Sequence, residues 1–341
     1  MRKPIVVVGS INMDLVAMAD HIPVVGETVA GYDFQTHHGG KGANQAVAIA
    51  RLGHPVQLIG RLGSDRFGDE LRDGLQREGV DITGVQRVDG TSGIAVIVVS
   101  SRGENCIVVT PGANATLSAD DLEHYVDQIR SASLVLAQLE IPIQTVLRLA
   151  EICEREGVPL MLDPAPAQSL PDRMLSMITW LTPNETEAGF FTKGIFPREK
   201  DANDTAAMAH ALLHSGVRNL LLKMGERGFH VATAEGDFES HPACLVSAVD
   251  TTAAGDAFNG AFAVALVSGK SPVESACFAA AAAAISVTRK GAQSSMPTLQ
   301  EVEAYLQTAP LQIPNTSNAL RPQNKISTSE PASMEKNPHE R

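Results

Sequence analysis

Residues 250–260 read Asp-Thr-Thr-Ala-Ala-Gly-Asp-Ala-Phe-Asn-Gly, a turn of small and polar residues that opens into a helical pattern continuing through Val267. Asp256 falls in the first turn of that helix. Residues 244–249 can form a strand, which would place the turn at a strand-to-helix corner. There the backbone N–H groups of Ala253, Ala254, Gly255 and Asp256 lack intrahelical partners, and the helix dipole adds partial positive charge. Phosphate is the natural guest of such a corner, and a carboxylate at its edge can take a proton from an attacking hydroxyl. An ordinary N-capped helix, with Asp256 merely complementing the dipole, accounts for the same residues. The surrounding chain has to decide between the two.

Working outward, strand-like and helix-like stretches alternate. Residues 5–8 are a β-branched run ending at Gly9, and the Ala-rich residues 42–52 are helical in pattern. Residues 56–60 precede a charged helix at 68–78, and residues 134–139 precede one at 143–156. Short strands are expected at 160–162, 180–182 and 219–223, and Ala-rich helices at 257–266 and 274–288. This alternation predicts an α/β fold with a doubly wound, mostly parallel central sheet flanked by helices, and ligands at the carboxyl ends of its strands. Residues 27–36 and 92–110 instead alternate like exposed antiparallel strands, and are read as a small β-sheet lid drawn from about 14–37 and 90–112. A single domain over residues 1–308 is expected. Residues 309–341, rich in Pro, Ser, Asn and mixed charge, are expected to be a disordered tail.

Composition narrows the function. The 341 residues are 44% hydrophobic and carry a net charge of −12, which argues against nucleic acid as a partner. Cys106, Cys153, Cys244 and Cys277 are widely spaced and suggest neither a zinc site nor a disulfide framework, so a cytoplasmic protein is expected. The apolar run at the N-terminus is broken by Gly9, Asn12 and Asp14 before a signal peptide is complete, and no stretch is long enough to span a bilayer.

Other motifs are weak one by one. Gly39-Gly40-Lys41-Gly42-Ala43-Asn44 precedes a helix but matches neither a Walker loop nor a dinucleotide fingerprint. Its glycines allow bare amides near a small polar ligand, with Lys41 and Asn44 as further donors; a tight turn is the plain alternative. Asn12 and Asp14 suit a polyol, or simple turn chemistry. In Thr182-Pro183-Asn184-Glu185-Thr186-Glu187, Asn184 and Glu187 offer oxygen ligands of the kind magnesium takes through water, or an acidic first helical turn. Lys223-Met224-Gly225-Glu226-Arg227-Gly228 is a glycine-punctuated turn suited to lie beside a nucleotide. His37, His38, His210 and His214 lack metal-binding spacing and are left as surface or loop residues.

Taken in order along the chain, the early Gly-Gly loop, the Asn-x-x-Glu, the Gly-x-x-Gly turn and the late Ala-Ala-Gly-Asp resemble the ribokinase-like carbohydrate kinases. The resemblance covers residues 5–306, helped by Gly9-Ser10-Ile11-Asn12, Pro-Ala-Pro-Ala at 164–167 and Val-Thr-Arg-Lys-Gly-Ala-Gln at 287–293. It implies transfer of the ATP γ-phosphoryl group to the 5-hydroxyl of D-ribose, in a homodimer joined through the lid. By the same resemblance Asp256 is the base, and Ala253 to Asp256 form the anion hole. Ribose is held by Asn12, Asp14, Gly40, Lys41, Asn44 and Glu140; nucleotide meets Asn184, the turn from Lys223 to Gly228, and Gly255. Glu187 organises Mg2+ through its water shell. Asp250, Thr252, Ser286, Arg289, Gly291 and Ser295 surround a monovalent cation, K+, several of them through backbone carbonyls. Readings left open are a kinase for 2-deoxyribose, a ketohexose or a nucleoside, and a sugar-binding regulator without catalysis; only 4% aromatic residues disfavours a stacked nucleoside.

Overall fold

A computed structural model describes residues 2–193, 195 and 204–308. The tail expected at 309–341 lies outside the described residues. Among the described residues there are thirteen strands: β1 (Ile5–Val8), β2 (Asn12–Ala19), β3 (Gly31–Gly39), β4 (Val56–Gly63), β5 (Asp81–Val88), β6 (Gly93–Ser100), β7 (Asn105–Thr110), β8 (Leu134–Ala137), β9 (Leu160–Leu162), β10 (Trp180–Leu181), β11 (Asn219–Lys223), β12 (Phe229–Thr233) and β13 (Phe238–His241). Nine of them form one sheet in the order β13-β12-β11-β10-β9-β8-β1-β4-β5, parallel except that β12 runs antiparallel to both β11 and β13 at one edge.

The all-apolar β1 explains its central place. Every residue of Ile5–Val8 is buried, and the side chains alternate between two cores, Ile5 and Val7 to one face, Val6 and Val8 to the other. Helices Lys41–Arg51, Ala254–Val267 and Pro272–Val287 cover the first face, and Ile143–Glu156 and Thr205–His214 the second. From β1 the chain runs outward to β4 and β5 on one side, then returns to build β8, β9 and their neighbours on the other. The carboxyl end of β1 is therefore the switch point, where a crevice opens in sheets of this kind.

A separate sheet, β3-β2-β6-β7, forms the lid. Its two hairpins are antiparallel as expected, but β2 and β6 lie parallel. Asn12 and Asp14 thus stand on a strand that leads from the switch point into the lid, not in a turn. His37 and His38, expected at the surface or in a loop, are half-buried in β3.

A further expectation is overturned. Residues 244–249 are not a strand, so Asp250 follows an irregular segment and the corner is loop-to-helix. Among the described residues this segment pairs with no strand, and Leu245 and Val249 are exposed; it is held by a bond from the Val249 amide to the Val287 carbonyl.

Candidate active site

The loop before helix Ala254–Val267 turns sharply at Ala253, whose φ of 58° is left-handed, which costs a residue with a Cβ roughly 1–2 kcal/mol. This turn aims the loop amides outward. The Ala254 amide is spent on the Thr251 carbonyl at 3.2 Å, whereas those of Ala253, Gly255 and Asp256 have no acceptor among the described residues. The expected four free donors are therefore three, because the tight turn closes on itself.

Asp256 is only 4% exposed. Its Oδ2 accepts from Asn44 Nδ2 at 2.9 Å and its Oδ1 from Gln45 Nε2 at 3.1 Å. These contacts exist because helix Ala254–Val267 packs tightly against Lys41–Arg51 at Gly260. A Cβ there would lie 2.6 Å from the Ala48 Cβ, well inside contact. Burial raises the Asp256 carboxyl above its ordinary range, opposed by Lys41 and by the two amide donors.

Lys41 is the counter-charge. Burial alone would lower its pKa, but Asp256, Asp163, Glu140 and Glu187 together hold it protonated. Glu140, just past β8, accepts from the Lys41 amide at 3.1 Å and from Ser10 Oγ at 2.5 Å. Asp14 completes a group of three carboxylates. It is pushed up to about 7, first by burial and then by Glu140 and Asp256. Asn12 is buried, and its Oδ1 is taken by Asn114 Nδ2 at 2.7 Å, which leaves its own amide as donor. Gly40 fits because its φ is 88° and a Cβ would lie 2.6 Å from the Asn12 amide nitrogen. Asn12, Asp14, Gly40, Lys41, Asn44, Glu140 and Asp256 thus gather at the end of β1.

On the far side of the Asp256 loop lies a cavity of about 460 Å³ with a mostly apolar wall that includes Val246, Phe258, Ala280 and Ala284. Lys223, Gly225, Glu226, Gly228, Thr251 and Gly255 line it as well. Of the predicted turn, Met224 is buried in the second core and Arg227 pairs with Glu185 instead. Lys223 Nζ reaches Asp163 Oδ1 at 3.1 Å and stands beside Gly255, where a Cβ would lie 3.6 Å from it. Asn184 and Glu187 form a reciprocal capping box on helix Glu185–Phe191, at 2.8–2.9 Å, the plain alternative for this motif. Glu187 is nonetheless raised by burial and by Asp163, so it belongs to the same charged cluster.

Behind the loop, Asp250 Oδ1 accepts from the Thr252 amide and hydroxyl and Oδ2 from the Gly291 amide. Burial raises this carboxyl, but these hydrogen bonds win and hold it below its ordinary value. Ser286 and Ser295 hydroxyls meet at 2.8 Å nearby in sequence and fold, whereas the Arg289 side chain leaves to pair with Glu301. Arg289 can offer this region only its backbone.

The comparisons agree with this geometry. Residues 2–299 match the profile of the pfkB family carbohydrate kinases. The chain belongs to that family. It is 43% identical over 310 residues to the ribokinase of Haemophilus influenzae, covering 91% of this chain and 100% of that one. It is 38% identical over 306 residues to the deoxyribokinase of Salmonella typhi, covering 89% and 98%. The structure of Arabidopsis thaliana ribokinase complexed with ribose and ATP superposes with a TM-score of 0.81 at 36% identity, over 90% of this chain and 99% of that one. As a pfkB carbohydrate kinase, the chain is a phosphotransferase acting on a sugar hydroxyl.

Several polar residues of this kinase site escaped the reading of the sequence. Asp163, Gln45, Gln138, Ser10, Asn114 and Asn259 are all buried and all hydrogen-bonded into it. Asp163 stands directly after β9, where a carboxylate at a strand's carboxyl end is the signal that could have found it. The amides of Gln45 and Gln138 carry no such signal.

Proposed function

We propose that the chain is an ATP-dependent ribokinase that moves the γ-phosphoryl group of ATP to the 5-hydroxyl of D-ribose. One observation carries the reading. A buried carboxylate, Asp256, stands beside three free amides, with the polyol-binding side chains on one side and an apolar cavity on the other. In the reaction the 5-oxygen bonds to the γ-phosphorus, its proton passes to Asp256, and the bond to the bridging oxygen breaks to leave ADP. The amides of Ala253, Gly255 and Asp256 stabilise the charge that develops on the phosphoryl oxygens. Lys223 offers its ammonium to the phosphates, and the apolar cavity takes the adenine. Asn12, Asp14, Lys41, Asn44 and Glu140 hold the sugar hydroxyls, and the lid excludes water. Asn184 adds its amide to the nucleotide side.

Glu187 fits a role in holding Mg2+, because both its oxygens keep a lone pair after the capping bonds and can each accept from a metal-bound water. Bound Mg2+ would neutralise phosphate charge. The ionised Asp250, with Thr252, Ser286, Gly291, Ser295 and the Arg289 backbone, is a hard oxygen set that fits K+. Such an ion would brace the anion loop from behind. We read residues 1–308 as one catalytic domain. The exposed lid residues Phe34, Val96 and Val108, which the strand register puts on one side of the sheet, are an apolar face that supports a homodimer through the lid. The four free cysteines are consistent with a cytoplasmic protein, and among the described residues no helix is long and apolar enough to cross a membrane.

A second reading, 2-deoxyribose as acceptor, is favoured by the similarity to a deoxyribokinase. Against it stands Asn12, whose buried amide would be left unpaired without a 2-hydroxyl. ADP production over a panel of pentoses, hexoses and nucleosides, in K+ and in Na+ buffer, tests both. Ribose should give the highest kcat/KM, with K+ exceeding Na+. ADP release with no sugar in the panel would refute the kinase reading, and preference for 2-deoxyribose would establish the second.

A further inference from the structure

The base does not stand alone in its pocket. Gln45 is 1% exposed, and its Nε2 donates at once to Asp256 Oδ1 at 3.1 Å and to Asp163 Oδ2 at 3.0 Å. The other oxygen of Asp163 is held by Lys223 Nζ at 3.1 Å. A single side-chain amide therefore joins the carboxylate of the sugar side to the carboxylate that anchors the lysine of the nucleotide cavity.

The direction of that amide is itself fixed. Gln138, fully buried at the end of β8, donates its Nε2 to Gln45 Oε1 at 2.7 Å. With its oxygen so engaged, Gln45 must present its NH2 to the carboxylates. Reversed, its oxygen would face two acceptors in a site shielded from water, leaving two buried charged groups without their donor. Gln138 in turn is pressed against Gly9, where a Cβ would lie 2.1 Å from Gln138 Oε1.

We propose that Gln45, oriented by Gln138, is a positioning residue for phosphoryl transfer, holding Asp256 in its reactive geometry and separating it from Asp163. The inference rests on Asp256 being the base. Each Asp256 oxygen accepts one amide donor, from Asn44 or Gln45, and keeps lone-pair capacity for the sugar hydroxyl. Without the Gln45 amide, no hydrogen-bond donor joins the two buried carboxylates, and only the more distant charge of Lys41 acts on both. Repulsion then swings Asp256 away from the attacking oxygen or makes it take up a proton. Displacements of about 1 Å at a reacting group cost on the order of 100-fold in rate.

Gln45→Met keeps the length of the side chain and removes both the donor and the acceptor. It should lower kcat by about 10- to 100-fold, leave KM for ribose and for ATP within about threefold, and move the acid limb of the kcat–pH profile to higher pH. Because Gln45 acts through Asp256, the same change made in Asp256→Asn should cost no more than about twofold further. Gln138→Leu removes the donor to Gln45 Oε1, which loosens the bridging amide while its two carboxylate contacts remain, and should reproduce the effect in weaker form, which keeps the test available if Gln45→Met fails to fold. Full kcat in either folded variant, or additive losses in the double variant, would overturn the proposal. If Asp256→Asn is inactive while Gln45→Met turns over normally, the base assignment stands and only this inference falls.

Discussion

Replacing Asp256 by Asn is the sharpest perturbation the structure allows. The new side chain has the same shape, so the packing of helix Ala254–Val267 against Lys41–Arg51 is kept. Both present partners, Asn44 Nδ2 and Gln45 Nε2, are donors. The new NH2 group must therefore face one donor at about 3 Å, and a mismatch of that kind in a buried site costs roughly 1–3 kcal/mol. Removal of a carboxylate that is 4% exposed, whose charged form burial disfavours, offsets part of this cost. The variant should fold and melt within roughly 5 °C of the parent. The rate is another matter, since an amide cannot accept the hydroxyl proton. General-base assistance is worth about 100- to 10,000-fold, or ~3–5 kcal/mol of barrier. Coupled ADP release at saturating ribose and ATP should show that loss in kcat, while calorimetric titration shows ribose affinity within about fivefold. A variant that keeps more than a tenth of the parental kcat would refute the assignment of Asp256.

Other expectations follow from neighbouring groups. Asp14, pushed up to about 7 from an ordinary 3.8, should make the KM for ribose rise as pH falls below about 7, because the ionised carboxylate accepts sugar hydroxyls more strongly than the protonated acid; a flat KM between pH 6 and 8 would contradict this. Its sign for stability is the reverse. The folded protein holds this proton more tightly than the unfolded chain, so the contribution is fully present below about pH 4 and is lost as pH rises to about 7, seen as a falling Tm without sugar. Gly40→Ala forces a side chain into a left-handed backbone and against the Asn12 amide, and should cost at least ~2 kcal/mol with a higher KM for ribose; an unchanged Tm would argue against the observed loop. Ala283→Glu places a charge on the wall of the apolar cavity and should raise the KM for ATP at least about tenfold while sparing that for ribose, a split that steady-state kinetics reads directly.

Much of this was written locally in the chain. The run Ile5–Val8 could only be a buried strand, since four apolar residues with β-branched side chains suit a sheet covered on both faces. The alanines at 279–284 allow a close-packed helix, and the small residues before Asp256 allow a tight turn with exposed amides. Motif order along the chain then pointed to the family. Where local pattern misled, the deciding partner was distant. Residues 244–249 have strand-like composition, but among the described residues no strand pairs with them, and a strand without a partner cannot satisfy its backbone. Gln45 lies 211 residues from Asp256 and 118 from Asp163, so nothing in its own surroundings marks it as part of the site. What the sequence by itself determined was most of the parallel strands and the helices that cover them, though not β5, β12, β13 or the helix Thr205–His214, and which loop can hold an anion, because those follow from side-chain period and backbone freedom. The tertiary structure alone decided which carboxylates share a pocket, which way an amide points between them, and how near Lys223 comes to the loop, because buried hydrogen bonds and charges depend on distances that only packing sets.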